Sequence, residues 1–127
     1  MRKEADLLIR QARRDLDNAG KNIGIEAYEV AAFLAQQAVE KALKGAWIVL
    51  RRQRPPATHY LRDLGEGLKA PRRVLRLLMD LTVDYTVARY PDAANGLPYE
   101  IYDEEIARRK VAAAREVFRW LDSRLKR

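Results

Sequence analysis

The chain has 127 residues, enough for one domain that buries roughly two-thirds of its unfolded surface. It has no cysteine, which excludes disulfides and thiolate metal sites and fits a reducing cytoplasm. No apolar run reaches the ~18 residues of a membrane span, and 25 basic residues against 18 acidic ones give a net charge of +7 that favours anionic partners.

Met1–Asp6 is polar and then amphipathic, which predicts no signal peptide. A first helix is predicted from about Lys3 to Lys21, with Ala5, Leu8, Ala12, Leu16 and Ala19 as one inward stripe. Gly20 and Gly24 around Asn22 predict the break after it. The second helix, Ala27–Leu50, is the predicted centre of the domain. Ala27, Ala31, Ala35, Ala38, Ala42 and Gly45 recur at steps of three and four and predict a face that touches a neighbouring backbone. Val30, Leu34, Val39, Leu43, Trp47 and Leu50 form a second, bulkier apolar face. Gln36, Gln37, Glu40, Lys41 and Lys44 occupy what remains, a narrow polar seam in which Glu40 precedes Lys44 by four positions, the favourable order for a helical ion pair. Pro55-Pro56 stops this helix.

Thr58 is predicted to cap a short third helix from His59 to about Lys69, with Leu61, Leu64 and Leu68 inward and Gly65-Glu66-Gly67 near its end. A Gly-x-Gly with no strand before it reads as a helix terminus rather than a phosphate loop. A fourth helix opens at Ala70-Pro71 and carries Val74, Leu78, Leu81, Tyr85 and Ala88 at bundle spacing. Arg89–Tyr102 reads as one long loop anchored by tyrosines and prolines. Asp103-Glu104-Glu105 starts the last helix, which runs to about Leu125 on a stripe of Ala107, Val111, Ala114, Phe118, Leu121 and Leu125. Trp47, Phe118 and Trp120 read as core. With no segment of period two, the fold is predicted as all-α, an up-and-down four/five-helix bundle with a short extra helix.

Charge is segregated along the chain. Residues 51–76 hold eight Lys or Arg against two acids, residues 80–105 hold one against seven, and residues 108–127 hold eight against two. This pattern fits solvated helix faces, a polyanion-binding surface, or an acidic patch of one subunit meeting a basic patch of another. His59 is the only histidine, read either as a proton-moving or phosphate-contacting group or as a structural hydrogen-bonding one. Arg89 suits phosphate, or ties down its own loop through Asp92. The seam of Gln37, Glu40, Lys41 and Lys44 lines a cleft, a dimer contact or a solvated stripe. A helix-turn-helix reader using Arg72, Arg73 and Arg76 would need a free face, and Leu61, Leu64, Leu68, Leu75, Leu77 and Leu78 leave little of one. There is no Glu-x-x-His pair and Ser123 is the only serine, so no metal, cofactor or serine triad is expected.

Gln36–Lys44, then Thr58-His59-Tyr60-Leu61 after a proline-containing loop, then Ala88-Arg89-Tyr90-Pro91-Asp92 with Pro98-Tyr99, together resemble the HEPN domain. The resemblance spans essentially the whole chain and implies one helical domain over residues 1–127 that homodimerises or forms a higher homo-oligomer in the cytoplasm. It also implies a partner, a separately encoded minimal nucleotidyltransferase in a toxin–antitoxin or defence-type pair, and a role with RNA or a nucleotide, for which the residues themselves offer Gln37, Glu40, Lys41, Lys44, Arg54 and Arg89 as candidate contacts. Many members are metal-independent ribonucleases with an Arg, four to six residues, and a His. Here Arg54 and Arg52 precede His59 by five and seven positions but both lie in the loop after the second helix, Arg54 directly before Pro55, and Arg89 is followed by Tyr90 with Asn95 where a His would stand. The motif is therefore degenerate, and Arg89, Tyr90 and His59 are the candidate catalytic residues.

Overall fold

The computed structural model describes residues 2–126. Among them there are only helices and connections: α1 (Arg2–Gly24), α2 (Tyr28–Arg51), α3 (Leu61–Gly67), α4 (Arg72–Thr82), α5 (Asp84–Val87), α6 (Pro91–Ala94), α7 (Pro98–Ile101) and α8 (Glu104–Leu125). α1, α2, α4 and α8 form an up-and-down bundle, and the four short helices decorate its connections. α2 is the spine, packing on α1, α8, α3, α4, α5 and α7.

The small-residue face of α2 does what its spacing predicts. Ala31, Ala35, Ala38 and Ala42 are buried. A Cβ on Gly45 would lie 2.7 Å from Ile9 and 3.2 Å from the Ala5 carbonyl, so α1 and α2 touch backbone to side chain there. The bulky face holds less well, because Val30 at the start of α2 is exposed and outside the core. α1 runs three residues past its predicted end at about Lys21, so Asn22 and Gly24 of the predicted break lie inside the helix.

The third helix begins later than its sequence suggests. Thr58 caps nothing: its hydroxyl accepts from Tyr60 N in a local turn, and Leu61 N is satisfied instead by the Thr82 hydroxyl at 3.0 Å. His59 consequently precedes α3 rather than sitting in its first turn. Gly65 and Gly67 end α3 for packing reasons, since a Cβ on Gly67 would lie 2.2 Å from the Trp47 ring. The fourth predicted helix is interrupted at Val83, which separates α4 from α5. The predicted long loop folds into two single turns, α6 and α7, each opened by a proline whose missing N–H costs nothing at that position. Asp103 caps α8 as expected, accepting from Ile106 N at 2.8 Å.

Four charged side chains with no solvated face of their own complete the interior: Asp15, Glu40, Asp84 and Lys110. Each is paired, as burial of a charge requires.

Candidate functional site

Glu40 is the hub. It lies on the seam of α2 with its side chain only 9% exposed. One carboxylate oxygen accepts from Gln36 Nε2 at 3.0 Å and the other from Lys44 Nζ at 3.1 Å. His59 Nδ1 lies 3.0 and 3.1 Å from the two oxygens. Gln37 extends the chain by donating to Gln36 Oε1 at 2.8 Å. Burial by itself would raise the Glu40 pKa, but the hydrogen bonds from His59, Gln36 and Lys44 outweigh it and hold the carboxyl below its ordinary value. An ionised carboxylate only accepts, so His59 Nδ1 carries the proton and Nε2 is the free ring position. The His59 side chain is 51% exposed. A buried carboxylate thus orients a half-exposed imidazole.

The other support of that imidazole is Tyr85. The two rings stack with centroids 3.8 Å apart and planes 14° from parallel. The Arg89 guanidinium lies 4.5 Å from the Tyr85 centroid. One face of Tyr85 is already covered by the stacked imidazole, so the guanidinium takes the other, and the phenol ring stands between the cation and His59. Arg89 Nε also donates to the Tyr85 carbonyl at 2.7 Å, and the guanidinium lies 4.7 Å from the Phe33 ring and 4.8 Å from the Tyr90 ring. Three aromatic rings and one carbonyl fix it, and it does not pair with Asp92. Tyr90 itself is exposed.

On the His59 side an open groove of about 540 Å³ is lined by His59, Tyr85, Tyr60, Thr58, Thr82, Thr86 and the aliphatic Val83, Val87, Ala57 and Ala93. Aromatic planes, hydroxyls and one imidazole edge line a space within the size range of small-molecule sites.

The segment carrying Tyr85 and Arg89 is anchored from below. Lys110 Nζ, on α8, lies 2.8 Å from Asp84 Oδ2 and donates to the Asp80 carbonyl at 2.6 Å. The Tyr102 hydroxyl donates to Asp84 Oδ1. Burial raises the Asp84 pKa above its usual value despite Lys110 and Tyr102, and burial together with the Asp84 hydrogen bond pushes the Tyr102 phenol far up. Asp84 therefore ties α5 to α8 and to the residue that follows α7.

Of the sequence candidates, Gln37, Glu40, Lys44 and His59 share one network, and Arg89 with Tyr90 joins it through Tyr85. Lys41 turns away, pairing with the buried Asp15 of α1. Arg54 lies in the exposed connection after α2 with no side-chain partner among the described residues. Tyr85 escaped the sequence reading as a site residue, although it stands four positions before Arg89, where helical side chains meet. No three carboxylate or imidazole groups converge as metal ligands among the described residues.

The HEPN domain profile matches residues 5–124. The chain belongs to the HEPN family. Its fold is similar to that of TT1696 from Thermus thermophilus, with 30% identity, a TM-score of 0.85, and 94% of this chain and 97% of that one covered. It is also similar to ST0689, described as an archaeal HEPN homologue, with 32% identity, a TM-score of 0.82, and 95% and 97% of the two chains covered. No curated protein matches the sequence. No helix of this HEPN domain, among its described residues, is long and apolar enough to cross a membrane.

Proposed function

We propose that this chain is a single HEPN domain over residues 1–127 that forms a homodimer and binds RNA or a nucleotide in the His59–Tyr85 groove. It works in the cytoplasm with a separately encoded minimal nucleotidyltransferase, as one half of a toxin–antitoxin or defence-type pair. The observation that carries the binding reading is the His59–Tyr85 stack beside that groove. Both faces of Tyr85 are covered, so the aromatic surface open to a base is the half-exposed His59 ring backed by Tyr85, with the exposed Tyr60 beside it, and Arg89 beyond Tyr85 supplies a fixed cation for a flanking phosphate. The partner and the dimer rest on family membership.

Fluorescence anisotropy with labelled single-stranded RNA and with mononucleotides tests the binding. Stacking of one base on an aromatic ring is worth about 1–3 kcal/mol, so His59→Ala should weaken binding about ten- to hundredfold. Wild-type affinity in both His59→Ala and Arg89→Ala removes the reading. Size-exclusion mass and pull-down with the neighbouring gene product test the assembly, and a monomer that ignores that product removes the pair.

A second reading, a metal-independent ribonuclease, is favoured by the Glu40–His59 contact. With Nδ1–H held by a carboxylate, Nε2 is the ring nitrogen able to accept a proton from a ribose hydroxyl. Incubation with tRNA in EDTA checks it: His59→Gln should abolish cleavage, and equal cleavage by wild type and variant means a contaminant.

A further inference from the structure

Cations gather at one end of the bundle. At the end where α2 and α8 finish and α1 and α4 begin stand Arg51, Lys69, Arg72, Arg73, Arg124 and Lys126. Cations at the ends of α2 and α8 suit the helix dipole. The start of α4 does not: it opens with Arg72 and Arg73 and has no acid in its first turn, opposite to what the dipole favours, and only Arg73 finds an acid, Glu116 at 3.9 Å. Dipole compensation thus leaves part of this charge unexplained.

A groove of about 620 Å³ opens at this end, and the two basic blocks of the sequence converge on it. Arg51 lies 4.5 Å from the Trp47 ring centroid and donates to the Gly67 carbonyl at 3.1 Å. Arg124 lies 5.6 Å from the Trp120 centroid and donates to the next carbonyl, that of Leu68, at 2.5 Å. Each guanidinium is backed by an indole and pinned by one of its five N–H donors, leaving the others for a ligand. Lys69 completes the lining. Its φ is +60°, a left-handed position at a helix end that favours glycine, yet a lysine stands there. The lining carboxylate, Glu66, is already paired with Arg62 at 2.7 Å. No carboxylate of the described residues pairs with Arg51, Lys69 or Arg124.

We propose that this groove holds the phosphate backbone of the same RNA whose bases enter the His59–Tyr85 groove. The inference rests on the RNA reading of that groove. His59 and Tyr60 precede α3 and Lys69 follows it, so the seven residues of α3 separate the two sites by roughly 10 Å at about 1.5 Å per residue. At about 3.4 Å per stacked nucleotide, a strand spans them in about three nucleotides. Mononucleotides reach one site only.

The test uses the full chain, a labelled mononucleotide and a labelled single-stranded RNA of about twelve nucleotides, each titrated over a series of salt concentrations. A phosphate contact contributes about 0.7 to the slope of log affinity against log salt for single strands. Arg51→Gln/Lys69→Gln/Arg124→Gln should therefore lower the slope for the long RNA by about 2 and leave mononucleotide affinity unchanged. Lys69→Gly controls for folding, because glycine suits the left-handed backbone. It should melt no earlier than wild type and still lose about 0.7 of slope. Long-RNA slopes that stay at the wild-type value while mononucleotide binding persists overturn this inference and leave the RNA reading standing. Wild-type protein that binds neither probe overturns both.

Discussion

Replacing Lys110 by Met is the sharpest test of how the Arg89 segment is held. The two side chains have similar length, so the change leaves little cavity and its cost is electrostatic. Lys110 is 4% exposed and Asp84 1%, so the variant strands a carboxylate with only the Tyr102 hydroxyl beside it. Breaking one side of a buried pair costs about 3–5 kcal/mol. The charge has an escape, because Asp84 can take up a proton. Its ordinary pKa is 3.8, and each unit between that value and the ambient pH is worth about 1.4 kcal/mol, which caps the charge penalty near 4 kcal/mol at about pH 7 and near 2 kcal/mol at about pH 5. The Asp80 carbonyl also loses its donor, adding about 1 kcal/mol at any pH. The sign follows from the direction of the shift. A carboxyl whose folded pKa is raised contributes stability below its unfolded pKa and loses it as pH rises through the folded one. The variant should therefore be destabilised by about 3–5 kcal/mol at neutral pH and by about 1–3 kcal/mol at about pH 5, measured by urea unfolding followed by circular dichroism. A penalty below about 1 kcal/mol, or one equal at both pH values, refutes the buried-pair account. Asp84→Leu/Lys110→Met should recover much of the loss, since apolar replacement of both partners of a buried pair is often near neutral.

Glu40→Gln should cost about 1–3 kcal/mol, because one amide oxygen cannot serve the three donors of Gln36, Lys44 and His59. The Glu40 pKa is depressed, so its contribution is present above the unfolded value and lost as pH falls through the folded one. Wild type should show an acid loss of stability below about pH 4.5 that the variant lacks, read from urea midpoints across that range. Gly67→Ala places a Cβ 2.2 Å from Trp47 and should destabilise by about 1–3 kcal/mol, with a changed Trp fluorescence spectrum reporting the displaced indole. Asp103→Ala removes the cap of α8 and should cost about 1 kcal/mol in the same unfolding assay.

The bundle was legible because apolar spacing decides which face of a helix turns inward. The stripes on α2, α4 and α8 are buried nearly as spaced. The buried charges were legible too, though the sequence reading passed over them. Asp15 falls between Ala12 and Ala19, Asp84 between Leu81 and Ala88, and Lys110 between Ala107 and Ala114, each at steps of three and four. A charge on such a stripe must be buried and must find a partner. Lys44 was legible as a partner of Glu40, but the distant partners were not, because they come from other parts of the chain: Lys41 for Asp15, His59 for Glu40 and Lys110 for Asp84. Thr58 misled for a similar reason. Its type suits an N-cap, but the Thr82 hydroxyl, 21 positions away from Leu61, had taken that role.

Membership of the HEPN family fixes the bundle and leaves the chemistry to the site. In this chain the arginine and the histidine that could act together are kept apart by a ring. Tyr85 stacks on His59 at 3.8 Å and carries Arg89 at 4.5 Å on its other face, so the two groups share a support and not a substrate atom. A phosphate touched by both would require Tyr85 to turn out, breaking the stack, or the Arg89 of a second copy to enter the groove from the solvent side. The first route loses a ring contact and uncovers a guanidinium held by three aromatic rings. The second leaves the His59–Tyr85 stack intact and uses the exposed edge of His59 as it stands. Cleavage, if it occurs, should then rise with protein concentration through the dimerisation range, whereas base binding on the half-exposed His59 ring should not.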